Sequence, residues 1–459
     1  MTVVTDGDAA VLEAYGMQRE VCLRAGRDAD NHPVASPLDN GGFVYRIRGS
    51  LDRARLLAAV DLVTAGMDAL WARLRWGGDR YLLVPDGGPT SVPVCVVDLR
   101  HPSSDRRQEL LRAVLARSSA LVGDLRDGPL AVFVLARLAA DDHVLSMEID
   151  HSVADRLSNM MTARLVSSVY GRLAEGDEDG AVAEATVPSF LRFAREAQRD
   201  TARVAATARF WQRAVEPPPF SAVMPGCRWR SWRERRSTER VARVVPPRTH
   251  AALRQATEVT GAPMNYLYYA AVTIVLAAVE NRDFVPITFA RHGRTPAVAR
   301  MQAPLWESPI TVAPADGHEQ LGGWVAAFAE VNMGSPALGT FNLVDVASLD
   351  RIMEYRRVTI NVWLPFSPMR FGALDGHSID VPPPPTYRPP RIPHNIGIRL
   401  MVEGIDRITV LLHHDPQDLA SGELFLDAVH RVLELTARHP TMSVAEARRT
   451  ADAVLRGAA

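Results

Sequence analysis

Hydrophobic positions recur with two different periods along the first part of the chain. Phe43, Tyr45 and Ile47 alternate with other side chains at the period of a strand, and residues 51–70 follow with Leu56, Leu57, Val60 and Val63 at helical spacing. Residues 130–138 and 143–149 are two further apolar strand segments, separated by Ala139-Ala140-Asp141-Asp142, which predicts a β-hairpin or neighbouring antiparallel strands. The period then changes. Leu157, Met160, Met161, Leu165, Val169 and Leu173 fall on one helical face that ends near Gly176, so a strand passes directly into an amphipathic helix. The acidic, glycine-bearing stretch 175–180 has no apolar periodicity before Pro188 and predicts a boundary between two lobes, 1–178 and 179–459.

The second half repeats the mixture. A long helical region at 189–215 precedes an irregular tract rich in Pro, Arg and Trp at 217–232. Strands are predicted at 239–245, 284–289, 358–364, 396–402 and 407–412, and helices at 249–260, 265–279 and 422–437. The run Pro382-Pro383-Pro384-Pro385, with Pro389, Pro390 and Pro393 after it, reads as a stiff polyproline II connection. No repeat of solenoid length is present.

Composition narrows the chemistry. With 459 residues, 47% of them hydrophobic and 23% charged, the chain has the make-up of a soluble globular protein too long for one ordinary core. Its formal charge of -1 offers no global basic excess toward nucleic acid or membrane. All 52 basic side chains are arginines. The absence of lysine removes Walker phosphate loops, pyridoxal Schiff bases and lysine-based aldolase or β-lactamase sites. Cys22, Cys95 and Cys227 lie far apart and form neither a disulfide framework nor a metal-ligand spacing. The first residues lack the regions of a signal peptide, and the most apolar stretch, 266–279, is too short to span a bilayer, so a cytoplasmic location is expected.

Familiar catalytic motifs are missing: there is no GxSxG, GxGxxG, HExxH or zinc-deaminase pattern. His413-His414-Asp415 has no acidic or cysteine partner at ligand spacing and reads as a strand exit. The segment that stands apart is Ile149-Asp150-His151-Ser152-Val153-Ala154-Asp155-Arg156-Leu157-Ser158, a sharp polar break between the strand and the helix. Two accounts fit it as residues alone. Asp155 is the N-cap of the helix and His151 an ordinary loop histidine, or His151 is a proton-transfer group fixed on rigid scaffold at both ends.

This segment is similar to the HHxxxDG signature of the condensation-domain superfamily, the chloramphenicol-acetyltransferase-like fold used by nonribosomal peptide synthetases. The likeness extends along the chain. Arg46-Ile47-Arg48-Gly49-Ser50-Leu51-Asp52 resembles the family's early strand-to-helix opening, His143-Val144-Leu145-Ser146-Met147 its strand before the signature, and Tyr170 the tyrosine of the helix after it. Phe210-Trp211, Arg291-His292-Gly293-Arg294 and Asn361 resemble its aromatic-Trp pair, its Gly-Arg motif and its late Asn-bearing strand.

The resemblance implies an α/β (α+β) protein of two chloramphenicol-acetyltransferase-like lobes in a V with a central channel. It implies a stand-alone condensation enzyme that joins an acyl group to an amine or alcohol acceptor. The acyl group would arrive as a thioester on the phosphopantetheine of an acyl or peptidyl carrier protein, with no tightly held cofactor and no metal of the enzyme's own. His151 takes the catalytic position, Asp155 a structural one paired with a buried arginine, with Arg294 expected and Arg291 competing. Asp150, Arg156 and Asn361 are the expected channel or substrate-orienting residues. Two of these depart from the signature: Asp150 stands where the family has His, and Arg156 where it has Gly. These departures keep two alternatives open: another reaction on a carrier-bound chain, or a silent scaffold that recruits carrier or tailoring proteins.

Overall fold

The computed structural model describes residues 11–30, 32–35, 41–85, 92–119, 121–122, 124–216, 239–280, 285–312, 320–363, 368–379, 398–403, 408–419 and 421–457. Cys227, the tract 217–232 and the prolines at 382–393 lie outside the described residues. The helices used below are α1 (Gly16–Arg24), α2 (Arg53–Ala65), α3 (Ser104–Ser119), α4 (Arg156–Glu175), α5 (Glu178–Ala185), α6 (Phe190–Arg199), α7 (Thr201–Ala214), α8 (Pro247–Thr260) and α9 (Met264–Glu280). The strands are β1 (Gly41–Arg48), β2 (Val94–Asp98), β3 (Ala131–Ala139), β4 (Asp142–Ile149), β5 (Glu239–Val244), β6 (Thr288–Phe289), β7 (Arg291–His292), β8 (Trp306–Glu307), β9 (Val358–Trp363), β10 (Met369–Phe371), β11 (Leu374–Ser378), β12 (Ile398–Glu403) and β13 (Thr409–His414).

The first lobe is built on a six-stranded sheet in the order β10-β11-β1-β4-β3-β2. β3 and β4 form the expected antiparallel pair, and β4 pairs on its other side with β1 so that Tyr45 faces Leu145. Strand alternation sorts their side chains between two cores. Phe43, Tyr45, Phe133, Leu145 and Met147 pack with Leu56, Val60, Val166 and Val169 of α2 and α4, while Val134, Ala136 and Val144 meet Leu111 and Leu115 of α3 on the other face. Burial on both faces explains why β3 reads as a nearly continuous apolar run. Asp52 starts α2 by accepting from the Arg55 N–H, and Gly176, at φ 79°, ends α4.

The second lobe carries a five-stranded mixed sheet, β5-β13-β12-β9-β6, covered by α9 and the helix Gly422–Arg438. The lobes are not independent. β10 and β11, from late in the chain, complete the first sheet against β1. Val298, Met301, Ala303 and Leu305 likewise belong to the first core. Beyond residue 178, Ala181 and Ala185 of α5 and Phe190 and Ala194 of α6 are buried in the first lobe's core. The single helical region at 189–215 is two helices. Asp200 stands between α6 and α7 and accepts from the Arg203 N–H, capping a new start within an unbroken apolar pattern.

One glycine fixes the register that carries the site. A Cβ on Gly42 would stand 1.8 Å from the Met147 carbonyl oxygen on the neighbouring strand, a backbone clash with no flexible atom to yield. Gly42→Ala is expected to destabilise the protein by about 3 kcal/mol or more, an overpacking cost borne by the β1–β4 pair. Denaturant unfolding measures it, and an unchanged midpoint would show that β1 is free to shift.

Candidate active site

The loop between β4 and α4 is held by its own first residue. The Asp150 N–H donates to Leu130 O at 2.9 Å, and Asp150 O accepts from the Val153 N–H at 3.1 Å. Its Oδ1 accepts from the Ser152 N–H at 2.7 Å. Gln18 of α1 adds a fourth tie, donating from Nε2 to Ser152 O at 2.8 Å. Asp150 is fully buried and shapes the loop through these bonds.

His151 stands at the crest of this loop and is half-buried. Its Nδ1 lies 3.3 Å from Ala154 O, a contact satisfied by a proton on Nδ1, which leaves the lone pair on Nε2. The Trp306 ring of β8 packs against the imidazole with centroids 6.0 Å apart. On the β1 side the neighbour is Gly41: the point a Cβ would occupy there is 3.5 Å from His151 Cε1, 3.6 Å from Nε2 and 3.0 Å from Asn159 Nδ2. A glycine at 41 therefore keeps the Nε2 edge clear of side-chain atoms from β1.

Asp155 is both a helix cap and half of an ion pair. As N-cap of α4 its Oδ1 accepts from the Ser158 N–H at 2.7 Å, and the Ser158 hydroxyl accepts from the Asp155 N–H at 3.2 Å. Arg294 Nη2 lies 2.8 and 2.9 Å from the two Asp155 oxygens, with both side chains about 95% buried (5% and 4% exposed). The contact is not a fork meeting a fork. One nitrogen serves both oxygens, while Nη1 donates to Met301 O at 2.7 Å and Val298 O at 3.1 Å. Arg291 is occupied elsewhere, with Nε and Nη2 on Glu307 Oε2 at 3.0 and 2.9 Å. Of the two candidate arginines, Arg294 is thus the one on Asp155.

The other expected residues are spread out. Arg156 is the first residue of α4, half-buried, and its charge opposes the rise that burial imposes on the Tyr45 phenol pKa. Asn361 sits on β9 in register with Met401, and no described contact joins it to His151. His414 ends β13 as the expected strand exit, fully enclosed, with Gly422 leaving room for its ring. Among the described residues no group of three or more His, Cys, Asp or Glu is placed to hold a metal ion, and no helix is long and apolar enough to cross a membrane. A cleft of about 550 Å³ opens along α4, lined by Leu157, Met160, Met161 and Arg164 and across from them by His292 and Arg300. Gly41, Asn159 and Trp306 escaped the sequence reading. Only the Gly41-Gly42 pair at the head of a strand carried a signal, since glycine in a strand marks close approach.

Comparison with known proteins follows the same geometry. The sequence model of the Condensation domain family matches residues 40–303, more than half of the chain. No curated protein matches the sequence. Among solved structures, SgcC5 from Streptomyces globisporus, in complex with (R)-(-)-1-(2-naphthyl)-1,2-ethanediol and sucrose, is similar with a TM-score of 0.69 at 16% identity, over 94% of this chain and 100% of its own. The first condensation domain of the calcium-dependent antibiotic synthetase, with a substrate analogue, gives 0.68 at 20% identity over 95% and 98%. The starter condensation domain of rhizomide synthetase RzmA, as a variant bound to C8-CoA, gives 0.70 at 16% identity over 95% and 97%. Identities this low speak for the shared fold.

The Asp155–Arg294 pair makes a stability prediction. Asp155→Ala removes a helix cap, worth about 1 kcal/mol, and leaves a buried guanidinium without its carboxylate, a loss of roughly 3–5 kcal/mol. Chemical denaturation is expected to show a drop of that size. Wild-type stability in the variant would mean that Arg294 is held by its carbonyl contacts alone.

Proposed function

The chain belongs to the condensation-domain family, and on that premise we propose that it is an acyltransferase that joins a carrier-protein-bound acyl thioester to an amine or alcohol acceptor in natural-product biosynthesis. The observation that carries the reading is His151, held by Ala154 O through Nδ1 on a loop pinned by Asp150, Gln18 and the Asp155–Arg294 pair. An imidazole oriented in this way is suited to accept a proton through Nε2. As the acceptor attacks the thioester carbon, its N–H or O–H proton passes to Nε2. The tetrahedral intermediate then collapses, the C–S bond breaks, and the proton leaves with the phosphopantetheine thiol.

The phosphopantetheine in this reading is substrate, brought by an acyl or peptidyl carrier protein, and the enzyme needs no cofactor of its own for the step. The choice of an amine or alcohol acceptor draws support from the similar structures. SgcC5 was captured with an aryl ethanediol, and a further RzmA starter-domain variant with both C8-CoA and Leu-SNAC. Asp150 does not count against catalysis here, since it acts as a loop-forming residue through the Ser152 N–H.

Intact-mass analysis of acyl-loaded carrier proteins, mixed with pooled amines and alcohols, tests the reading. Wild type is expected to unload the carrier into a condensed product, and His151→Ala to do so on the order of 10²- to 10⁴-fold more slowly. Equal behaviour of the two proteins, with carrier binding retained, would instead favour a recruiting scaffold.

A further inference from the structure

We propose that Trp306 is a positioning residue for His151, its indole holding the imidazole in place and steadying the imidazolium that forms when Nε2 takes the acceptor's proton. The inference rests on the condensation reading above and adds a group that supports the charged state of its histidine. Trp306 is set on a fixed ribbon. β8 pairs with β7 so that Trp306 stands opposite His292 and Glu307 opposite Arg291. Glu307 Oε2 accepts from Arg291 Nε and Nη2, its Oε1 accepts from the Gly339 N–H at 3.0 Å, and the Gly293 N–H donates to Leu305 O at 2.7 Å. The indole therefore reaches His151 from a backbone tied down on both sides of residue 306.

Two observations say what a tryptophan contributes there. Its Nε1 is buried without a hydrogen-bond partner among the described residues, a cost that phenylalanine would not carry, so the contribution is that of the ring. The ring centroid lies 6.0 Å from that of His151 at an interplanar angle of 56°, within the range of aromatic pairs and of the attraction between an indole and a cation. The hydrogen bond that orients the imidazole, from Nδ1 to Ala154 O, is long at 3.3 Å, so packing against the indole is a second restraint on the ring. The π electrons attract an imidazolium more than a neutral imidazole. The contact is therefore strongest once the acceptor has attacked the thioester carbon and its proton is on Nε2, and it favours the intermediate over the resting enzyme. When the C–S bond breaks, the thiolate takes the proton back and the extra attraction ends. Trp306 exchanges no proton. The charged groups of the packed elements are engaged elsewhere or unchanged by a substitution at 306. On the loop, Asp150 accepts from the Ser152 N–H, and on α4 Asp155 is paired with Arg294 while Arg156 occupies the first position. On the ribbon, Glu307 is paired with Arg291 and His292 is exposed, and β1 meets the imidazole at Gly41, which brings no charge.

Histidine titration by NMR, together with the pH profile of kcat/KM on an acyl-loaded carrier protein, separates this role from plain packing. His151→Ala identifies the His151 signal among the 13 histidines. Trp306→Leu is expected to lower the midpoint of that signal by about half a pH unit and to carry the acid limb of the rate profile to lower pH by the same amount. It should reduce kcat about 3- to 10-fold, with KM for the carrier changed less than about threefold. Trp306→Phe keeps a ring with a weaker pull on cations and should fall between the two, and it gives the reading if the leucine variant does not fold. An indole that merely covers the histidine predicts the opposite sign, because its loss admits water and water favours the charged imidazole. A midpoint that rises or stays in the folded variants would thus overturn the assignment. Failure of the wild type to condense any loaded carrier would overturn the condensation reading and the catalytic use of the contact with it. The titration needs no substrate, so the two failures are read from different measurements.

Discussion

The Asp155 carboxylate is asked to satisfy a helix and an arginine at the same time. Its Oδ1 accepts from the Ser158 N–H and lies 2.8 Å from Arg294 Nη2, so the start of α4 and the segment after β7 share one atom. The rest of the site follows from that sharing. Because α4 begins where Asp155 fixes it, the preceding turn is closed, Ala154 O is presented to His151 Nδ1, and the imidazole has one orientation. Because Arg294 is spent on Asp155 and on the carbonyls of Val298 and Met301, residues 298–305 are drawn onto the first lobe's core. A single buried charge pair thus couples the geometry of the His151 loop to the contact between lobes.

A second tie between the halves runs through α1. Glu20 is buried and pairs with Arg356, just before β9, and with Arg24 one turn on. Arg19 on the same helix reaches Asp345 at 2.8 Å, and Gln18 reaches the His151 loop. Burial pushes the Arg24 and Arg356 guanidiniums down to about 10 and 9. Both nonetheless remain cations near neutral pH, and the one carboxylate between them is the group that makes their burial tolerable.

Local features were legible in the sequence because their causes are local. The β3–β4 pair, the turn from β4 into α4, the cap at Asp155 and the stop at Gly176 all announce themselves within a few residues. The break at Asp200 did not, since the apolar spacing runs through it and only the cap reveals a new start. Distant pairings left no trace of either kind. Arg291 and Arg294 are indistinguishable as residues, and what separates them is Glu307, which occupies the first and leaves the second to Asp155. The closeness of Gly41 to Asn159 and His151 depends on what stands across from it, which the sequence alone does not show.

The contribution of β10 and β11 to the first sheet also bears on how the chain comes into being. β1 pairs with β4 after about one hundred residues of chain, but on its other edge the described partner is β11, more than three hundred residues downstream. On a ribosome the first lobe would therefore emerge with one open, hydrogen-bond-hungry strand, and it would stay so until most of the second lobe had been made. Contacts of such sequence separation slow folding. The two lobes are in this sense one kinetic unit, because the first is completed by a hairpin made late in the chain.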